Sequence, residues 1–373
     1  MEHKEKEKIP GKEHFHGSDL EKIEKYFGIP KESIIGFGAN VNPLGISPKM
    51  RKKLAENMDV ITSYPDPDYT ELRKHIADYT GCLPEQILVG NGCTELISLF
   101  IQVLKPEHTL IVSPTYSEYE REIRLSKGEV RYYALQEASG FRLDPDDFCS
   151  ALAYRPQLCI LCNPNNPTST ASSPEEMRRI LACCKKQGTF VMIDETYAEF
   201  APEELSVSSV KLLKEYDNFV ILRGISKFFA APGLRLGYAM TGGLQLLACV
   251  KERQNPWALN SLADAAGSLM FTDTDYIEKT RKLISSERKR IYEELRTWKQ
   301  IKVYPPYANF ILVRILKKGV TSCDVFVHAI RKGLMLRDCS TFPGLEDETF
   351  FRFCFMMPDQ NTELLNCLKE ILD

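Results

Sequence analysis

Residues 158–194 read LCILCNPNNPTSTASSPEEMRRILACCKKQGTFVMID, and this stretch decides the fold. Residues 158–161 form a short apolar, β-favouring run, residues 174–187 carry a helical period, and residues 189–193 form a second β-rich run. Two strands joined through a helix make a parallel crossover. The alternation extends in both directions. Further β-rich runs lie at 86–89, 109–112, 129–134, 218–222 and 236–240, and further helical segments at 94–104 and 118–126. The pattern predicts an α/β fold with a mostly parallel seven-stranded sheet covered by helices on both faces. Such sheets bind ligands at the carboxyl ends of their strands, so the loops after each run should carry the chemistry.

From residue 258 the texture changes. A long helical pattern runs to 299, followed by short strands around 303, 309–313 and 334–337, a helix near 322–331 and a closing helix from 361. This reads as a smaller α+β domain. The first 45 residues hold one helix over 19–27 and the turn-rich Gly38-Ala-Asn-Val-Asn-Pro-Leu-Gly45, too little to form a core of their own. The expected division is an N-terminal arm (1–45) joining the small domain, a large ligand-binding domain (46–257) and the small C-terminal domain (258–373).

Forty-eight Lys and Arg against 51 Asp and Glu leave a net charge of −3, so no overall field recruits nucleic acid or an anionic membrane, and any anion site must be local. No stretch approaches the roughly 20 apolar residues of a membrane span. The N-terminal MEHKEKEKIPGKEHFHG lacks the apolar core of a signal peptide, and a cytoplasmic location is expected. Twelve cysteines raise the question of disulfides or metal. Cys159 and Cys162 form a C-x-x-C, but strand alternation sends them to opposite faces and no second pair stands at zinc spacing. They read as buried free thiols, with no metal expected.

The strand-end loops form a set. After Val89 comes Gly90-Asn-Gly92-Cys93-Thr94-Glu95 and an apolar helix, a turn whose backbone N–H groups suit a phosphate. On its own it also reads as a plain turn with Thr94 as N-cap. After Val112 comes Ser113-Pro-Thr-Tyr116, where a phenol can stack on a planar ring or simply pack. After Leu161 comes Cys162-Asn-Pro-Asn-Asn166-Pro-Thr168, and after Ile193 comes Asp194-Glu-Thr-Tyr197. A carboxylate at that strand end needs a cationic partner. After Leu222 comes Arg223-Gly-Ile-Ser226-Lys227, then Phe-Phe-Ala-Ala-Pro-Gly-Leu-Arg235. A lysine among Phe and Ala should have a lowered pKa, as covalent attachment to an aldehyde requires. Pyridoxal phosphate needs this combined inventory: a lysine, an acid for the ring nitrogen, and donors for ring oxygen and phosphate.

These residues resemble the fold-type I, aspartate-aminotransferase-like superfamily of pyridoxal-phosphate enzymes. Asn163-Pro-Asn-Asn166-Pro-Thr168, Asp194-x-x-Tyr197 and Ser226-Lys227-(x)7-Arg235 occur in that family's order. Within it the chain is similar to the histidinol-phosphate aminotransferase group and, more closely, to the L-threonine-O-3-phosphate decarboxylases of cobalamin biosynthesis. The features that carry this are His16-Gly17, Ala39-Asn-Val-Asn-Pro-Leu-Gly45, Asn255-Pro-Trp-Ala-Leu-Asn260 and Phe342-Pro-Gly-Leu345.

The resemblance implies that Lys227 bears the cofactor and moves protons, with Asp194 on the pyridinium nitrogen. It implies Asn166 and Tyr197 on the ring oxygen and Tyr116 stacked on the ring. Gly92, Cys93, Thr94, Ser226 and Arg235 would hold the phosphate. Arg352 would clamp the substrate α-carboxylate and Arg337 its phosphate, while Asn42 and His16 would line the entrance. Tyr64 would reach the cofactor phosphate of a neighbouring subunit, implying a homodimer with shared sites. The implied activity is decarboxylation of a small phosphorylated amino acid, O-phosphothreonine, with the aminotransferase reaction as the alternative. Four positions depart from the pattern. Gly224 replaces a phosphate-binding Ser or Thr, and Ser169 replaces the Gly after Asn-Pro-Thr. Met356 stands where the decarboxylases have a second arginine, and Tyr197 is the aminotransferase-like choice where they have Phe.

Overall fold

A computed structural model of the chain describes residues 15 and 17–372. Seven strands build the main sheet: β1 (Ile87–Asn91), β2 (His108–Ser113), β3 (Glu129–Ala134), β4 (Leu158–Cys162), β5 (Phe190–Asp194), β6 (Phe219–Gly224) and β7 (Leu236–Thr241). Their order is β1-β7-β6-β5-β4-β2-β3. Only β7 runs against its neighbours, and the other pairings are parallel. Each expected strand is present, with ends moved by one or two residues.

The central strands are apolar on both sides because both faces are covered. On one face Leu158, Ile160, Met192 and Leu222 pack with Leu96, Ile97 and Phe100 of helix Gly92–Leu104. On the other, Cys159, Leu161, Val191 and Ile193 meet Met177, Ile180, Leu181 and Cys184 of helix Pro174–Gln187. That helix is well specified locally. Ser173 accepts from the Glu176 N–H while the Glu176 carboxylate accepts from the Ser173 N–H, Pro174 opens the first turn, and Gly188 ends the helix at φ 73°. Its four buried side chains contribute roughly 1.5–3 kcal/mol each before the entropy of ordering is charged against them. Cys159 and Cys162 do diverge: Cys159 lies against the helix thiols, and Cys162 faces the strand-end cavity.

A second sheet is antiparallel throughout. It comprises β8 (Ile301–Val303), β9 (Phe310–Ile315), β10 (Arg337–Asp338) and β11 (Phe350–Cys354), in the order β10-β11-β9-β8. β11 is absent from the sequence-based expectation, because Phe-Phe-Arg-Phe-Cys has no polar alternation and is buried on both sides. The long helical pattern from 258 is two helices, Ser261–Met270 and Thr274–Leu295. They separate because they pack on different partners. The first lies on helices Pro48–Glu56 and Thr70–Thr80, the second against β8.

The N-terminal segment links the two sheets. Phe15 stacks on Phe326 at 5.7 Å, Ile35 bridges to Leu334, and the Phe37 carbonyl accepts from the Cys354 N–H at 2.8 Å. Residues 38–40 then line the cavity beside the strand-end loops, where the Ala39 carbonyl meets Lys227. Gly17 lies so close to Gly38 that a Cβ on it would sit 2.0 Å from the Gly38 carbonyl oxygen.

Candidate active site

The strand-end loops and the second sheet enclose a cavity of about 540 Å³. Of the residues singled out in the sequence, Cys93, Thr94, Tyr116, Asn166, Asp194, Tyr197, Ser226, Lys227, Arg235, Arg337 and Arg352 line it.

One end is an anion cup. The helix begins at Gly92, with Asn91 as the cap residue and not Thr94, and Asn91 makes no side-chain capping bond. The first N–H groups of the helix therefore lack a side-chain cap. Gly92 has φ +80°, and a Cβ there would lie 2.3 Å from a guanidinium nitrogen of Arg235. A Cβ on Gly237 would lie 2.5 Å from the Cys93 nitrogen. Glycine at both positions lets the loop lie flat on β7 with Arg235 over it. Gly224 has a related cause: its Cβ would stand 2.9 Å from the Cys93 sulfur. The thiol fills the space that a side chain at 224 would need.

At the middle, Asp194 ends β5 and is buried. Its Oδ1 accepts from the Thr196 N–H at 2.9 Å and the Thr196 hydroxyl at 2.5 Å, and its Oδ2 accepts from the Tyr119 hydroxyl at 2.5 Å. Tyr116 meets Tyr119 edge-on at 5.7 Å, and burial followed by nearby Glu118 pushes its phenol up to about 12. Lys227 donates to the Ala39 carbonyl at 2.6 Å. Desolvation, then the neighbouring Arg352, lowers its ammonium to about 8, so about a tenth of it is neutral at pH 7, against well under a thousandth for an ordinary lysine.

At the far end two arginines come from the second sheet. Arg352 donates to Asn166 Oδ1 and to the Gly38 carbonyl at 2.7 Å, while its buried Nε has no partner. Arg337 donates to the Phe15 carbonyl and to the Thr341 hydroxyl at 2.8 Å. Each guanidinium lies over a ring, Phe310 at 5.1 Å and Phe342 at 5.3 Å. Tyr197 receives a bond from Asn40 Nδ2 at 3.3 Å.

Gly92 lies behind the lining, as the first residue of the helix, and two residues fall elsewhere. Asn42 is a correction: it does not line the entrance. Its amide is buried and donates to the Phe228 carbonyl, the Tyr276 hydroxyl and Thr280, so it pins the Lys227 loop to helix Thr274–Leu295. Asn40, two residues earlier, lines the cavity instead, in a left-handed conformation that asparagine tolerates. Tyr64 lies outside the cavity, 78% exposed, with its ring 4.7 Å from Trp257. His16 lies outside the described residues. Tyr119 and Thr196 were not singled out beforehand. The signal for Tyr119 was its place one helical turn after Tyr116, and for Thr196 its place two residues after Asp194, where a hydroxyl closes a turn on an aspartate.

This fold, with a lysine, an acid and an anion cup at one strand-end cavity, defines a pyridoxal-phosphate enzyme of fold type I. The chain belongs to the aminotransferase class I and II family, whose model matches residues 32–368. A threonine-phosphate decarboxylase from Salmonella typhimurium is 32% identical over 357 residues, covering 96% of each chain. A histidinol-phosphate aminotransferase from Methanococcus maripaludis is 30% identical over 360 residues, 96% of this chain and 95% of that one. The crystal structure of the histidinol-phosphate aminotransferase from Clostridium acetobutylicum is similar with a TM-score of 0.83 and 33% identity, covering 90% of this chain and 98% of that one. Among the described residues no helix is long and apolar enough to cross a membrane.

Proposed function

We propose that this protein is a pyridoxal-phosphate-dependent decarboxylase of a small phosphorylated amino acid, with L-threonine O-3-phosphate as substrate and an aminopropanol phosphate as product. The single observation that carries it is the pair of buried arginines, Arg337 and Arg352, that the second sheet adds to the cavity already holding the anion cup of the first. Three anion sites in one cavity suit a cofactor phosphate plus a substrate bearing both a carboxylate and a phosphate.

The residues present fit the cofactor. The uncapped helix start at Gly92, Cys93 and Thr94, with Ser226 and Arg235, would hold its phosphate. Asp194 would face the ring nitrogen, Asn166 and Tyr197 the ring oxygen, and Tyr116 the ring itself. Lys227 would make the covalent attachment and carry protons. Pyridoxal phosphate supplies the electron sink for the bond broken at the α-carbon. The chain's own contribution is orientation. Arg352 would grip the α-carboxylate through N–H groups of its guanidinium edge, and Arg337 the phosphate. How Arg352 and Arg337 orient the substrate would decide between loss of CO2 and proton removal by Lys227.

The second reading is an aminotransferase for histidinol phosphate or a related phosphorylated or phosphonate amine. Its support is the Tyr197 hydroxyl, present in the cavity and bonded to Asn40. Incubation with O-phosphothreonine without an oxo acid separates the readings. CO2 and aminopropanol phosphate are expected; oxo-acid-dependent amino transfer from histidinol phosphate with no CO2 release overturns the decarboxylase. O-Phosphoserine belongs beside it, because one methyl is worth only about 1–3 kcal/mol of discrimination.

A homodimer, a cytoplasmic location, a role in cobalamin biosynthesis and the domain boundaries at 45 and 257 belong to the same proposal. The dimer is supported by exposed apolar side chains at Met58, Ile61, Tyr64 and Trp257. The location is supported by twelve free cysteines, a usage that fits a reducing compartment. Light scattering on wild type and Tyr64→Ala tests the assembly, and a monomeric wild type overturns it.

A further inference from the structure

Tyr119 is engaged more tightly with the site than the proposed function uses. It is fully buried on helix Glu118–Leu125, its hydroxyl donates to Asp194 Oδ2 at 2.5 Å, and that oxygen belongs to the acid expected to face the cofactor nitrogen. The same hydroxyl lies beside the Cys162 thiol, and the same ring meets Tyr116 edge-on at 5.7 Å with planes 85° apart. One side chain thus touches both the wall expected to face the ring and the group expected to face its nitrogen. A phenylalanine would fill the volume and keep the edge-on contact. The hydroxyl adds a bond to a charged acceptor in a site from which water is largely excluded, where such bonds are strongest.

A carboxylate offers about four lone-pair positions. Thr196 supplies two donors to Oδ1 and Tyr119 one to Oδ2, so three are taken by the protein and one remains on the oxygen that Tyr119 holds. The two donor residues come from different elements, helix Glu118–Leu125 and the turn after β5. Between them they fix the rotation of the carboxyl plane. Burial, and then Asp194 itself, raise the Tyr119 phenol well above its usual range, so it stays a donor at any working pH.

We propose that Tyr119 is a positioning residue. Through its bond to Oδ2 it sets the orientation of the Asp194 carboxyl, and thereby how firmly the ring nitrogen of bound pyridoxal phosphate is held protonated. This rests on the cofactor reading above. A carboxylate that loses one of the donors fixing its plane holds a facing N–H less firmly. Without the phenol the ring would lose positive charge, and the cofactor linkage at Lys227 would become more basic.

The test compares wild-type holoenzyme with Tyr119→Phe and Thr196→Val. The readouts are the pH midpoint of the bound cofactor's absorbance change, the pyridoxal phosphate dissociation constant, and kcat and KM with O-phosphothreonine. Tyr119→Phe should raise the spectral midpoint by about 1 pH unit and lower kcat about tenfold with KM little changed. Thr196→Val should shift the midpoint the same way by less, since the backbone N–H still serves Oδ1. A Tyr119→Phe holoenzyme that titrates along the wild-type curve overturns the proposal, and so does an unshifted Thr196→Val if Tyr119→Phe fails to fold. A wild type that takes up no pyridoxal phosphate overturns the cofactor reading itself, a separate result.

Discussion

Arg337 and Arg352 stand directly opposite each other on the antiparallel pair β10–β11, two like charges at one register position. Such pairs are unfavourable in a sheet. Burial, with Arg352 adding to it, holds Arg337 below the ordinary guanidinium range. The arrangement persists because backbone carbonyls of Phe15 and Gly38, and the rings of Phe310 and Phe342, surround the two cations. A doubly anionic ligand would relieve the repulsion.

Arg337→Gln should therefore raise KM for O-phosphothreonine by on the order of 10–100-fold, the worth of one charged hydrogen-bonded contact, and change kcat less. Turnover of unphosphorylated threonine, however slow, should be unaffected. Steady-state kinetics on both compounds check this, and an equal loss on both would remove Arg337 from phosphate recognition.

Lys227 near pKa 8 predicts the pH dependence of cofactor uptake by apoenzyme. Only the neutral amine attacks an aldehyde, so the rate should climb about tenfold per pH unit below 8 and level off above it. Borohydride should fix the cofactor on Lys227 and fail to do so in Lys227→Ala. A rate independent of pH between 6 and about 9 contradicts the assignment.

Cys93 and Gly224 should behave as a coupled pair. Gly224→Ser alone forces its Cβ against the Cys93 sulfur and should weaken pyridoxal phosphate binding about tenfold. In a Cys93→Ala background the same serine has room and should tighten binding, so the two substitutions should be strongly non-additive. Cofactor titration of the four proteins decides, and additive effects would disprove the packing explanation for Gly224.

Glu199 gives stability a pH dependence of unusual sign. It is buried, it accepts from the Tyr79 hydroxyl at 3.0 Å, and burial raises its carboxyl to about 7 despite nearby Arg223. The folded state then binds a proton that the unfolded state has released, so stability is full below about pH 4.5 and falls as pH rises toward 7, by roughly 3 kcal/mol. Glu199→Gln should remove this slope. Melting temperatures from pH 5 to 8 should show the variant gaining on wild type as pH rises, and parallel curves would refute it.

Ser169 explains itself once the backbone is known. It holds φ 62°, the left-handed conformation that favours the glycine usual in the family, while its hydroxyl accepts from the Ala308 N–H at 3.0 Å. Ser169→Ala keeps the strain and orphans that N–H, costing about 1–3 kcal/mol. Ser169→Gly relieves the strain and should cost less. Chemical denaturation ranks the two, and the reverse order would show that the left-handed backbone at 169 carries no strain.

What the sequence alone determined was the main sheet and most of the cavity wall. The central β-rich runs are buried on both faces and the helices between them are amphipathic, so period and composition sufficed. The loops between them, from Gly90 to Arg235, were legible because each follows directly from a strand end. Only tertiary structure decided which asparagine of Ala39-Asn-Val-Asn faces the cavity, since Asn40 and Asn42 differ in partners more than 180 residues away in the case of Asn42 and 157 in that of Asn40. Tertiary structure alone also set Tyr119 on Asp194 across 75 residues and Arg337 against Arg352 across two strands. Local sequence carries backbone preference and burial period, whereas such contacts depend on how distant elements are stacked, which no local window contains.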